Sequence, residues 1–286
     1  MTDSHYAIQD GEILPSDEAV IPAVSSAASY GDGCFETLRA YSGRLPALGR
    51  HLNRLKRSMT YLGMAIPDGF TPEYFTEEAD RLLERNALKE TDARVRLQIW
   101  RVGPLGYGSG DDDPVSFLLT ATPLAGPGGA VSLFVATRRR IPSEALGSGF
   151  KLSNGLNYIL ARREAVKNGF NDALMLDCRN RISETTIANI FWKSGNDVFT
   201  PSVGCDLLPG ITREIQLEWL QGQNNLSVHT GEFTLEDLMK AGTAWLTNSV
   251  QEVMPVSFVN ETPFNEDDPF LEKLKQEYRK RIRHEP

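Results

Sequence analysis

The sequence predicts a mixed α/β (α+β) chain built as two domains. Its 286 residues exceed one typical domain. Stretches with helical periodicity interleave with stretches of strict alternation. A third observation divides them: residues 122–130 (TPLAGPGGA) hold two Pro and three Gly in nine positions, the composition of a linker. The expected division is a smaller α/β domain over 1–122, a linker over 123–130, and a larger α/β domain over 131–286.

Within the first domain, residues 50–63 (RHLNRLKRSMTYLG) place Leu52, Leu55, Met59 and Leu62 at helical spacing. Residues 73–88 form a second expected helix. Residues 94–102 (RVRLQIWRV) alternate, with Val95, Leu97 and Ile99 on one face and Arg94, Arg96 and Gln98 on the other, as in a half-buried strand. A Gly-rich segment (VGPLGYGSGDDD) and a strand at 115–122 follow. The second domain opens with a strand at 131–137 and a helix near 155–168. Residues 172–201 then read as short strands, DALMLD, RISE, ANIFWK and DVFTP, with turns at CRN and SGN. Helices are expected at 211–221, at 234–242 and at 268–284. The middle one is opened by Thr234 with Asp237 three residues on, a variant of the capping box.

Composition excludes several classes of function. A net charge of -8 and a pI near 5.2 argue against a nucleic-acid partner. No run approaches the ~18 apolar residues of a membrane span. The N-terminal MTDSHYAIQDGEIL has no basic or apolar region of a secretory signal, so a cytoplasmic location is expected. Cys34, Cys178 and Cys205 fit neither a disulfide framework nor a zinc spacing. With only four histidines, and no H-E-x-x-H, G-x-S-x-G or Walker loop, no metal site or histidine triad is expected.

Four segments stand out together: YGDGCFETLR (Tyr30 to Arg39), HLNRL (His51 to Leu55), KLSNGLNYILARREA (Lys151 to Ala165), and the pair RISETTIANIFW (Arg181 to Trp192) with LPGITR (Leu208 to Arg213). In this order and spacing, from Ala7 to about Val256, the chain resembles the class IV, fold-type IV pyridoxal-phosphate enzymes. That group comprises branched-chain aminotransferases, D-amino acid aminotransferases and 4-amino-4-deoxychorismate lyases. The resemblance implies a D-amino acid aminotransferase-like fold, with pyridoxal 5'-phosphate held in a cleft between the domains and its lysine in the larger one. It also implies a homodimer acting on a small amino or 2-oxo acid.

Roles carry over residue by residue. Lys151 matches the Schiff-base lysine, which needs an amine whose site disfavours the ammonium form. Arg54 matches the arginine paired with the cofactor phosphate. Ile211 and Thr212 match phosphate donors opening a helix. Glu184 matches the carboxylate that keeps the pyridine nitrogen protonated, and Leu208 the residue packed under the ring.

Within the group the motifs resemble the lyases most. Thr37 of GDGCFETLR matches a threonine implicated in lyase chemistry, where branched-chain aminotransferases usually carry glycine. Asn248 and Ser249 in AWLTNSVQEVMPV match the substrate-side turn. The lysine segment reads K-x-x-N-x-L, and Leu156 stands where branched-chain aminotransferases have tyrosine. One departure is Leu105 in VGPLGYG, where many lyases and D-amino acid aminotransferases carry a carboxylate-binding arginine. Arg39, Arg94, Arg96 and Arg101 are the possible substitutes, and Tyr107 of the same loop is a further candidate for substrate contact. The implied reaction is release of pyruvate from 4-amino-4-deoxychorismate to leave 4-aminobenzoate, a step of folate biosynthesis. The alternative is amino transfer between an amino acid and a 2-oxo acid, of branched-chain or D-amino acid type.

Overall fold

Alternation along one strand organises the first sheet. A computed structural model describes residues 5–103, 106–108, 110, 113–124, 126 and 128–285. They fall into two compact units, one of Met1–Ala125, Phe150–Asn154 and His284–Pro286, the other of Gly126–Gly149 and Gly155–Arg283.

The first unit runs β1 (Tyr6–Gln9), β2 (Glu12–Pro15), α1 (Ser26–Tyr30), β3 (Gly33–Ala40), α2 (Leu48–Tyr61), α3 (Pro72–Arg85), β4 (Ala93–Arg101) and β5 (Val115–Pro123). Its sheet has the order β2-β1-β5-β4-β3, antiparallel throughout. Val95, Leu97 and Ile99 of β4 are buried, as the alternation predicts, and Leu52, Leu55 and Met59 of α2 pack in the same core. Each such side chain contributes about 1.5–3 kcal/mol on burial. Thr71 caps α3 by accepting from Tyr74 N–H at 3.2 Å, and Pro72 occupies its first position. The hairpin β1–β2 and the short α1 give no periodic signal, because each is only four or five residues long.

The glycine turn before β3 has two separate causes. Gly31 ends α1 at φ 69°, a left-handed conformation that costs glycine least. A Cβ at Gly33 would lie 2.5 Å from the Ile99 carbonyl oxygen of the neighbouring strand.

Residues 151–153 continue this sheet beyond β3. Phe35 N–H donates to the Lys151 carbonyl at 3.0 Å, Ser153 N–H to that of Gly33 at 2.8 Å, and Cys34 bridges Leu152. Lys151, expected with residues 131–286, therefore groups with the first unit: its carbonyl accepts from Phe35 of β3 and its N–H donates to Ser58 Oγ of α2 at 3.3 Å.

The second unit comprises β6 (Val131–Val135), α4 (Leu156–Lys167), β7 (Asp172–Leu176), β8 (Ile182–Thr185), β9 (Asn189–Ser194), β10 (Asp197–Pro201), α5 (Ile211–Gln221), β11 (Ser227–Gly231), α6 (Leu235–Met239), β12 (Thr243–Asn248), β13 (Glu252–Val259), β14 (Thr262–Pro263) and α7 (Pro269–Ile282). One nine-stranded sheet runs β11-β10-β9-β12-β13-β6-β7-β8, with β14 beside β13. Leu133, Leu174, Ile190, Trp192, Leu246 and Val256 form its core. α6 is shorter than its periodicity suggests. Its opening is as expected, with Thr234 N–H donating to the Asp237 carboxylate at 2.9 Å. The strands β12 and β13 are buried on both faces over most of their length, so alternation cannot reveal them.

Candidate active site

Strand β3 turns Cys34, Glu36 and Leu38 toward the core, and a carboxylate among core positions needs partners. They come from α2, where His51 and Arg54 lie three residues apart on its buried face. Arg54 Nε donates to Glu36 Oε1 at 2.7 Å and Nη2 to Oε2 at 2.8 Å, while His51 Nδ1 lies 2.7 Å from Oε2. Burial pushes the Glu36 carboxyl up, but Arg54 and His51 together hold it well below the usual carboxylate range. Burial also lowers His51 below its ordinary value, more than Glu36 raises it.

The opposite face of β3 carries Phe35, Thr37 and Arg39, paired across the ladder with Gln98, Arg96 and Arg94. The Lys151 amine lies 4.5 Å from the centre of the Phe35 ring, and the Arg96 guanidinium 3.8 Å from it. Two cations thus share one aromatic side chain, and Thr37 stands directly across from Arg96. Burial, with Arg94 nearby, lowers Arg96 from its ordinary value. Arg39 is engaged by Asp92 through Nε at 3.1 Å and Nη2 at 2.5 Å, Arg94 is exposed, and Arg101 is buried in ion pairs with Asp32 and Asp113. Tyr107 is 90% exposed and stacks on Tyr30 at 4.9 Å. Leu105 lies outside the described residues.

In the second unit a cluster forms around Glu184 of β8, which is itself buried. Its Oε1 accepts from the Tyr158 hydroxyl at 2.9 Å and lies 3.2 Å from Arg140 Nε. Its Oε2 accepts from Asn189 Nδ2 at 3.3 Å. The same Asn189 amide donates to the Leu208 carbonyl at 2.9 Å, tying the LPGITR segment to Glu184. There α5 begins at Gly210, which has no side chain to cap the first amides. Ile211 and Thr212 are buried in its first turn, Thr212 Oγ1 3.3 Å from the Tyr278 hydroxyl. Asn248 ends β12, its Oδ1 accepting from the Val250 and Gln251 amides at 3.0 and 2.7 Å, with Ser249 between.

These donors fit pyridoxal phosphate. The group needs an amine, cationic and amide donors for its phosphate, and a carboxylate for its ring nitrogen. The first unit offers an amine at Lys151 and a cation at Arg54; the second, taken by itself, offers the uncapped start of α5 and the buried carboxylate of Glu184. Among the described residues, the buried Nε of Arg213, beside Thr212, has no hydrogen-bond partner, and neither does the buried Oγ of Ser153, two residues after Lys151. Glu36, His51, Tyr158, Arg140 and Asn189 escaped the sequence reading. Glu36 did leave a signal, since alternation puts it at a core position between Cys34 and Leu38. The others become visible only through contacts distant in sequence.

Comparison with known proteins shows the family. The family model for amino-transferase class IV matches residues 33–259. An aminodeoxychorismate lyase of Vibrio harveyi is 34% identical over 260 residues, covering 89% of this chain and 92% of the relative. A putative branched-chain-amino-acid aminotransferase of Methanocaldococcus jannaschii is 30% identical over 276 residues, 94% of each chain. Among solved structures, a branched-chain aminotransferase of the thermophilic archaeon Thermoproteus uzoniensis, crystallised with norvaline, superposes with a TM-score of 0.89 at 26% identity, covering 98% of this chain and 95% of its own.

Proposed function

Because the chain belongs to the class IV aminotransferases, enzymes of pyridoxal phosphate, we propose that it is a 4-amino-4-deoxychorismate lyase, releasing 4-aminobenzoate and pyruvate. The observation that carries this reading is Thr37, a hydroxyl on the face of β3 that also carries Phe35, the ring beside the Lys151 amine. The sequence relationship to lyases supports it.

The cofactor, when bound through Lys151, supplies an electron sink for the carbanion formed beside the substrate nitrogen. The protein's residues do the rest. Arg54 and the first turn of α5, at Ile211 and Thr212, would hold the phosphate, Leu208 would contact the ring, and Glu184 would keep the ring nitrogen protonated. The Lys151 amine, when free, would take the proton from the substrate carbon that bears nitrogen. The neighbouring C–O bond then breaks, and enolpyruvate leaves with that electron pair, assisted by the Thr37 hydroxyl. Protonation of the enolpyruvate gives pyruvate, and the ring left behind is aromatic. Arg96 is the best placed of the candidate arginines for the substrate carboxylate, because it is half-buried and engages no acid among the described residues, whereas Arg39 holds Asp92 and Arg101 holds Asp32. Arg94, Tyr107, Asn248 and Ser249 are proposed to line the same substrate region. The protein works in the cytoplasm as a homodimer in this reading.

A second reading, amino transfer to a 2-oxo acid, is favoured by the aminotransferase relatives. The visible spectrum separates the two. Prompt conversion to the pyridoxamine form with an L- or D-amino acid, and no 4-aminobenzoate from aminodeoxychorismate, would replace the lyase with the transaminase. A spectrum unchanged by amino acids, with 4-aminobenzoate formed, is expected. Lys151→Ala should abolish both the Schiff-base band and turnover.

A further inference from the structure

Glu184 is held from three sides, and one holder is an unusual choice. Tyr158, in the first turn of α4, reaches Oε1 with its hydroxyl at 2.9 Å. Arg140 lies against that oxygen at 3.2 Å, and its guanidinium stacks on the Tyr158 ring at 4.3 Å. Arg140 is itself braced by the Asp206 carbonyl at 3.0 Å and Asn157 Oδ1 at 3.4 Å. Asn189 holds Oε2. Tyr158, Arg140 and Asn189 each present a hydrogen to the carboxylate.

We propose that Tyr158 is a positioning residue: through its hydrogen bond to Glu184 it keeps that carboxylate a weak base, and so leaves the proton on the pyridine nitrogen of the cofactor rather than on Glu184. The proposal rests on Glu184 being the carboxylate at the ring nitrogen. A carboxylate and a ring nitrogen that share one proton divide it according to their relative basicity. Each donor that stabilises the carboxylate's charge weakens its claim. Tyr158 suits this work because it stays a donor. Burial and the adjacent Glu184 charge push its phenol well above its usual value, so its own proton is not lost. Arg140 adds charge, while Tyr158 adds direction, its O–H aimed at one oxygen.

The test uses holoenzyme reconstituted with pyridoxal phosphate labelled with nitrogen-15 in its ring, whose chemical shift reads protonation without turnover. Wild type should show a protonated nitrogen. Tyr158→Phe should move the shift toward the neutral ring, by about tenfold in the proton's distribution, the scale of one hydrogen bond to a charged group. Incorporating 3-fluorotyrosine at Tyr158, a more acidic donor of nearly the same shape, should move it the opposite way, which a purely structural role would not do. This second variant also decides the matter if Tyr158→Phe folds poorly. Unchanged shifts in both variants, with the wild-type nitrogen protonated and Glu184→Gln neutralising it, would overturn the role of Tyr158 alone. A wild-type shift indifferent to Glu184→Gln would overturn the assignment of Glu184 as well.

Discussion

Arg54 and Glu36 meet side-on, Nε to Oε1 at 2.7 Å and Nη2 to Oε2 at 2.8 Å, with both side chains buried. Breaking such a pair from one side leaves a buried charge poorly compensated, which costs about 3–5 kcal/mol. Glu36→Gln should therefore lower the stability of the apoprotein by about that amount in urea denaturation. Pyridoxal phosphate should restore part of it, because its phosphate gives Arg54 another anion. A neutral effect of the substitution would show that the pair contributes little.

His51 makes stability depend on pH. Its folded-state value lies below its ordinary 6.5. As pH falls through that ordinary value, the unfolded chain binds a proton that the folded chain does not. The stabilisation is thus complete above about pH 6.5 and is lost progressively below it, by at most about 1.4 kcal/mol per pH unit. Glu36, also depressed, extends the loss below its ordinary 4.5. Thermal midpoints between about pH 7 and 5 should fall in wild type and fall less steeply in His51→Asn. Equal slopes would place the titrating group elsewhere.

Gly210 leaves no space for a side chain. A Cβ there would lie 2.1 Å from Asn189 Oδ1, and Asn189 ties Glu184 to the Leu208 carbonyl. Gly210→Ala should destabilise the protein by about 1–3 kcal/mol and raise the concentration of pyridoxal phosphate needed for half-saturation. Normal cofactor affinity in a destabilised variant would separate packing from the site.

Arg96 and Thr37, opposite one another on β4 and β3, should fail in different ways. Arg96→Gln removes a charge proposed for the substrate carboxylate, so KM should rise by about tenfold or more with kcat less affected. Thr37→Val should lower kcat for 4-aminobenzoate formation while the spectrum of the resting enzyme stays the same. The same loss in both parameters for both variants would indicate a general distortion of the sheet.

Periodicity and ordered motifs were enough to read the helices α2, α3, α5 and α7, the strands β4 and β5, and the family itself, with Lys151, Arg54, Glu184, Thr212 and Thr37 as its candidate residues. These signals are local: apolar spacing reports a half-buried element, and a motif keeps its order along the chain whatever its packing. Tertiary structure alone decided which partners hold those residues. Glu36 lies 18 residues from Arg54, Tyr158 lies 26 from Glu184, and Leu208 lies 19 from Asn189. Only the sheet and helix packing bring such groups within hydrogen-bonding distance, and a buried charge is defined by what surrounds it. The same reason places Lys151 with the first unit, since its backbone pairs with β3 across more than a hundred residues of chain.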